Sequence, residues 1–134
     1  MFSAMLLTIS VVALSQFAIY YWRALVMGVA AQPVSERVLE AARVPDGALT
    51  GQHFKVFAEL HDLTPDLRPG PCGLGFVRLY FYAVHFFGEA LGRFSDSIAQ
   101  WTERERVLCT RYAAVQIDRR LQANLAMAAS IRSC

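Results

Sequence analysis

The sequence has few charges, one lysine and three cysteines, and these shortages exclude several classes of protein. Charged residues make up 18% of the 134 residues, and the net charge is only +2. Hydrophobic residues reach 55%, which excludes intrinsic disorder, and the near-neutral charge argues against a nucleic-acid partner. The cysteines show no C-x-x-C spacing, so a disulfide framework and a zinc ribbon are both poor interpretations.

The sequence also lacks the short motifs that carry chemistry. It contains no P-loop, no G-x-G-x-x-G, no G-x-S-x-G and no C-x-x-C-H. His85 and Glu89 are four residues apart on a predicted helix, a spacing that two metal ligands can use. An ordinary polar side of a helix has the same spacing. We therefore predict no enzyme activity and no cofactor, with a metal or cofactor site at His85 and Glu89 as an alternative.

No charged residue occurs in the first 22 residues. About 20 residues of helix span the hydrocarbon core of a bilayer, so residues 1–31 are predicted to be a transmembrane helix with a short extension. The apolar run ends in an order typical of a membrane–water interface, with Tyr20, Tyr21, Trp22 and then Arg23. A cleaved signal peptide is the alternative, but it needs a basic residue before the apolar run.

The distribution of arginine predicts the orientation of this helix. Arg23, Arg37 and Arg43 follow the apolar run, and no basic residue precedes it. By the positive-inside rule we expect a single-pass protein of the inner (cytoplasmic) membrane, with its C-terminal domain in the cytoplasm. Three unpaired cysteines, Cys72, Cys109 and Cys134, agree with a reducing compartment.

Polar residues within the apolar run favour packing against another helix. Thr8 and Ser15 lie on one side of the helix together with small residues, which let a neighbouring helix approach closely. Gln16 adds an amide at mid-depth, where a protein partner is preferable to lipid. A lone anchor that makes no helix contacts is the alternative.

The rest of the chain, residues 32–134, predicts a bundle of three to four helices, and the fold class is all-α. A short amphipathic helix is expected over 35–43, a turn at 45–47, and a helix from Thr50 to about Leu63. The segment 65–75 is rich in Pro and Gly and predicts a constrained loop, which joins two helices or wraps a partner. A long last helix is expected over 97–132, opened by a capping box at Ser97.

The residues 76–94 form the second most hydrophobic stretch, and their spacing predicts an amphipathic helix rather than a second span. Its polar side is predicted at Arg78, Tyr82, His85, Glu89 and Arg93. The opposite side is predicted to pack on the other helices, and its apolar residues are Leu79, Tyr80, Ala83, Phe87, Ala90, Leu91 and Phe94. A helix lying along the membrane surface is the alternative.

Apolar residues of the long helix change sides near Val115. Either the helix bends onto its own domain, or its second half meets a partner. On the second interpretation, Ile117, Leu121 and Leu125 bind the partner, and Arg119 and Arg120 orient the contact. The expected partners are the lipid bilayer and either other subunits or copies of the same chain. We accordingly predict a small non-catalytic accessory or assembly subunit of a larger membrane protein complex, with a self-associating membrane-anchored scaffold as the alternative.

Overall fold

The computed structural model describes residues 1–44, 49–65 and 74–134, and the predicted all-α fold is confirmed there. Five helices follow one another within these residues: α1 (Phe2–Ala30), α2 (Glu36–Ala41), α3 (Phe54–Leu63), α4 (Gly75–Leu91) and α5 (Asp96–Arg132). A 3-10 turn at Gly51–His53 precedes α3. The predicted turn at 45–47 and most of the loop at 65–75, including Cys72, lie outside the described residues.

In the described part of the chain, α1 is the one helix long and apolar enough to cross a membrane. Its most apolar 18-residue window has a mean hydropathy of 2.0, and none of that window is buried in the protein. The last turns of α1 contact the other helices and bury Val26 and Ala30. α1 ends at Ala30 because the residue before Pro33 is disfavoured in helical conformation.

The long helix α5 lies at the centre of the fold, and every other helix packs on it. α1 runs in the same direction as α5, since Arg23 contacts Glu105 and Gln32 accepts a hydrogen bond from Arg119. α4 runs in the opposite direction, because its residues 80 and 88 lie beside positions 105 and 102 of α5. The middle of α5 is therefore surrounded by its neighbours.

This central position explains why the apolar residues of α5 change sides near Val115. One side of α5 meets α1 and α4 through Glu105, while nearly the opposite side meets the segment after α1 through Asp118, which accepts a hydrogen bond from Ser35. Both sides belong to the core of the same chain, so the change of side requires neither a bend nor a partner over residues 109–118. Ile117 is only 5% exposed within this core, which removes it from the predicted partner interface.

The side of α4 that packs inward differs from the predicted one. The buried residues are Val77, Phe81 and Val84, whereas Leu79 and most other residues of the predicted inward side are exposed. Gly88 lies on the same side as these three and is the physical reason for the choice. A Cβ atom at Gly88 would lie 2.3 Å from Cγ2 of Thr102, so the missing side chain lets α4 approach α5 closely.

Helix starts were predicted with mixed success. Thr50 and His53 form the capping box that opens the 3-10 turn and α3, in which the backbone N–H of Thr50 donates to Nδ1 of His53 at 3.1 Å. The predicted capping box at Ser97 is wrong, because α5 begins at Asp96 with Ser95 as its extended N-cap residue. Asp96 supplies the negative charge in the first turn that the helix dipole favours.

Candidate functional site

A buried carboxylate connects α1, α4 and α5. Glu105 of α5 is 2% exposed, and each of its two oxygens has a partner. Oε1 accepts a charge-assisted hydrogen bond from Nη2 of Arg23 in α1. Oε2 accepts a hydrogen bond of 2.8 Å from the hydroxyl of Tyr80 in α4. We call Arg23, Tyr80 and Glu105 the Glu105 network.

The network supplies both oxygens of the buried Glu105 carboxylate with hydrogen-bond donors. Burying a carboxylate is costly unless it is paired and hydrogen-bonded, and both conditions are met here. Burial and the hydrogen bond to Glu105 raise the pKa of Tyr80, so this phenol stays protonated and keeps donating. The three side chains therefore fix the end of α1 against the hairpin formed by α4 and α5.

Cys109 lies one helical turn after Glu105 and is fully buried. Burial, with a further contribution from the charge of Glu105, raises the pKa of its thiol to about 12. Because the thiolate is the nucleophilic form, this cysteine is inert at neutral pH. Neither Tyr80 nor Cys109 is therefore activated as a nucleophile at this site.

A cavity of about 220 Å³ adjoins the Glu105 network. Ile19, Trp22 and Val26 of α1 line one wall, and Trp101 and Leu108 of α5 line the other. Ligand pockets usually enclose roughly 300–1,000 Å³, so this cavity is smaller than a typical small-molecule site. It suits a small apolar group, such as a side chain of a neighbouring helix or the end of an acyl chain.

The four predicted membrane-interface residues fall into two pairs. Tyr20 and Tyr21 are 75% and 59% exposed, so their rings are free to lie among lipid headgroups. Trp22 instead packs edge-on against Phe76 of α4, with ring centroids 4.4 Å apart, and its indole Nε1 is buried with no hydrogen-bond partner in the described residues. Arg23 belongs to the Glu105 network. Of these four residues, Trp22 and Arg23 therefore join α1 to the helical domain.

The residues predicted to pack in the membrane lie on the exposed part of α1. The hydroxyls of Thr8 and Ser15 donate to the carbonyl oxygens of Ala4 and Val11, one turn back in the same helix. Gln16 has no hydrogen-bond partner within the described residues and lies at the end of a shallow groove lined also by Thr8, Ile9, Val12 and Ala13. The predicted packing of this side against another helix stays a prediction.

The arginines of the predicted partner interface bind within the chain. Arg119 donates a hydrogen bond of 2.9 Å to Oε1 of Gln32, which follows α1. Arg120 donates to the carbonyl oxygens of His61 and Thr64 at 3.1 and 3.4 Å, where it caps the C-terminus of α3. Both arginines hold α5 to its neighbours, although Arg119 is exposed, and their role in orienting a partner stays a prediction.

The predicted apolar stripe loses its burial along α5. Leu121 is partly buried against the core, whereas Leu125 is 51% exposed. Beyond Asn124, which donates to the carbonyl oxygen of Pro65, most residues of the helix are exposed. Only this last part of α5 remains as a predicted contact for a partner.

The alternative metal site at His85 and Glu89 is an exposed pair. Nε2 of His85 lies 3.8 Å from Oε1 of Glu89, and the two side chains are 42% and 75% exposed. Within the described ranges, no third His, Cys, Asp or Glu joins them in a group that could hold a metal ion. The geometry gives this alternative no support beyond the helical spacing already present in the sequence.

Sequence reasoning overlooked Glu105, which is the most informative residue of the site. It lies between Trp101 and Leu108 on the side of α5 that also carries Tyr112, at spacings of four, three and four residues. A lone charge inside an apolar stripe predicts a buried ion pair, because an unpaired charge there would be too costly. Its partners were not predictable, since Arg23 lies 82 residues away in the sequence.

Comparison with known proteins assigns the chain to no group. No protein-family model, no curated protein and no solved structure matches it.

Proposed function

We propose that this protein is a small non-catalytic accessory or assembly subunit of a larger membrane protein complex. The observation that carries the proposal is the contrast between the two parts of α1. No residue of its apolar window is buried in the described chain, whereas Arg23, just beyond it, binds Glu105, which also binds Tyr80. Such a helix suits a subunit that binds a partner in the membrane through α1. The Glu105 network then fixes the helical domain to the end of α1.

Gln16 is the residue that best marks the membrane contact. Its amide lies at mid-depth in an apolar run, and a polar group in hydrocarbon favours a protein partner. The groove ending at Gln16 contains Ala13, whose small side chain lets a second helix approach. Across-helix hydrogen bonds of this kind contribute about 0.6–2 kcal/mol, which is enough to select a partner when apolar packing adds to it.

The test is affinity purification of the full-length protein in a mild detergent, followed by mass spectrometry. We expect another membrane protein to co-purify in a fixed ratio, and Gln16→Leu to reduce its yield several-fold. Ser10→Leu is the matched control, because Ser10 lies on the other side of α1 and its replacement is equally apolar. Recovery of the chain alone, with no partner, would overturn the proposal.

Self-association is the alternative that the same experiment separates. Two differently tagged copies are co-expressed, and one tag is used for purification. If the second copy is the main co-purifying protein and Gln16→Leu abolishes its recovery, the protein is a self-associating scaffold.

The proposed location is the inner (cytoplasmic) membrane, with the helical domain in the cytoplasm. Support comes from the arginines that follow the apolar run and from their absence before it. Cys134 is exposed and Cys109 is fully buried, so Cys134 reports the side of the membrane in a Cys72→Ser background. A membrane-impermeant maleimide should label Cys134 only after the membrane is permeabilised. Labelling of intact cells would place the domain on the opposite side.

A further inference from the structure

One side of α4 exposes a large apolar surface that the fold leaves uncovered. Phe76, Phe86 and Phe87 are 55%, 70% and 56% exposed, Leu79 on the same side is 68% exposed, and Phe94, in the turn that follows α4, is 84% exposed. An aromatic side chain presents about 150–250 Å², so the four phenylalanines alone expose on the order of 400–600 Å². This reaches the size of the largest patch on a typical monomer, about 300–600 Å², and such patches mark contact surfaces. We call these five residues the aromatic face of α4.

The direction of the helices brings this face beside the apolar run of α1. α1 and α5 run parallel, and Arg23 lies level with Glu105. The part of α5 from Asp96 to Glu105 is therefore level with the part of α1 from Leu14 to Arg23. At about 1.5 Å per residue each of these parts is about 13 Å long. α4 lies antiparallel on the same part of α5, since Gly88 contacts Thr102 and Gly92 lies near Ala99. The hairpin of α4 and α5 therefore extends from the Glu105 network back along the apolar run.

The aromatic face is also continuous with the surface of α1. Phe76, at the start of the face, packs on Trp22 at the end of the apolar run. Ile19 and Trp101 line the same cavity, which places them at a similar height along α1 and α5. An environment that surrounds the apolar run of α1 therefore also reaches the aromatic face.

We propose that the aromatic face of α4 contacts the lipid bilayer, so that the hairpin of α4 and α5 enters the membrane interface beside α1. This inference rests on the membrane insertion of α1 in the proposed function. Lipid is favoured as the occupant because the face continues the apolar surface of the span and extends in the same direction. The polar side of α4, which carries His85, Glu89 and Arg93, lies beside the face and turns these groups away from the lipid.

The test measures the surroundings of single spin labels on the full-length protein in phospholipid vesicles. A nitroxide is attached to Leu79→Cys or Phe86→Cys in a background of Cys72→Ser and Cys134→Ser, while the fully buried Cys109 is kept. Molecular oxygen concentrates in lipid and a nickel chelate concentrates in water. We expect oxygen to relax both labels several-fold more strongly than the nickel chelate does.

Two other results would overturn the inference. Stronger relaxation by the nickel chelate would place the aromatic face in water. Protection from both reagents would place it against protein, either a second copy or another subunit. Since both positions are more than half-exposed in the chain, labelling itself should not disturb the fold.

Matched labels separate this inference from the proposed function. Leu14→Cys reports the apolar run of α1, and Lys55→Cys, on the exposed side of α3, reports a site expected in water. If Leu14→Cys is in lipid while the α4 labels are in water, the inference fails and the membrane anchor stands. If Leu14→Cys is itself in water, both the anchor and the inference fail.

Discussion

Arg23 and Glu105 are 82 residues apart in the sequence and form an ion pair between α1 and α5, with the carboxylate side chain 3% exposed and the guanidinium side chain 42% exposed. This asymmetry determines what each substitution does. Removing Arg23 leaves a buried negative charge, whereas neutralising Glu105 leaves a cation that water can solvate.

We therefore expect Arg23→Ala to destabilise the protein more than Glu105→Gln does. Breaking a buried ion pair lowers the free energy of unfolding by about 3–5 kcal/mol. Because Arg23 is partly exposed, we expect Arg23→Ala to lower it by about 2–3 kcal/mol. Glu105→Gln keeps an oxygen for Tyr80 and should cost about 1 kcal/mol. Urea unfolding in detergent, followed by circular dichroism, measures both. Arg104→Ala on the exposed surface of α5 is the control, and equal stability of Arg23→Ala and this control would contradict the expectation.

Substitution of Gly88 tests the close approach of α4 to α5. Gly88→Ala places a Cβ 2.3 Å from Cγ2 of Thr102, and overpacking of this kind costs about 1–3 kcal/mol. The gain in helix propensity, about 1 kcal/mol, offsets part of this, so we expect a net loss of stability. In a Thr102→Ala background the loss should be smaller, because the clashing methyl group is gone. Gly75→Ala has open space around its Cβ and should not lower the melting temperature.

His61 predicts a loss of stability in mild acid. Burial, with the charge of Arg120 second, lowers the pKa of His61 below its usual 6.5. A histidine whose pKa is lower in the folded state contributes stability above the unfolded pKa, and this contribution is lost as the pH falls through 6.5 towards the folded pKa. The melting temperature of the wild-type protein should therefore fall between pH 7.5 and pH 5.

His61→Gln should make the melting temperature less dependent on pH over this range, because the titrating ring is gone. The exposed His85→Gln is the matched control and should keep the wild-type dependence. An unchanged pH dependence in His61→Gln would show that burial of this ring does not control acid stability.

Truncation locates the end of the core in α5. Deletion of residues 116–134 removes Ile117, which is buried, and Arg120, which caps α3. We expect this deletion to abolish cooperative unfolding of the helical domain. Deletion of residues 125–134 removes mostly exposed residues and should leave the domain folded, with its melting temperature nearly unchanged. If the shorter deletion reduces partner recovery without unfolding the domain, the end of α5 and Leu125 belong to the interface.

The sequence predicted the helices well because their signals are local. The uncharged run of α1, the helix start at Thr50 and the long uninterrupted pattern of α5 are each read from neighbouring residues. The packing side of α4 was not predictable in the same way. This helix has two apolar sides, and the larger side chains suggested that the aromatic one is buried. Gly88 decided otherwise, because close approach to Thr102 depends on a side chain that is absent.

The candidate site illustrates a second limit. Periodicity shows that Val115 marks a change of apolar side, but it cannot tell whether the second side meets a partner or another part of the same chain. The answer depends on α1 and α3, whose contacts with α5 are distant in sequence. For the same reason, Arg119 and Arg120 looked like surface charges and are in fact hydrogen-bonded within the fold.

The central position of α5 has a consequence for the order of events during synthesis. α1, α2, α3 and α4 meet chiefly through α5, which leaves the ribosome after them. Their buried faces have little to pack on until residues 105–118 have been made, so the domain gains its core only after α5 has been synthesised. If α1 inserts into a membrane as proposed, insertion can precede folding of the domain, and Arg23 meets Glu105 only once α5 has been made.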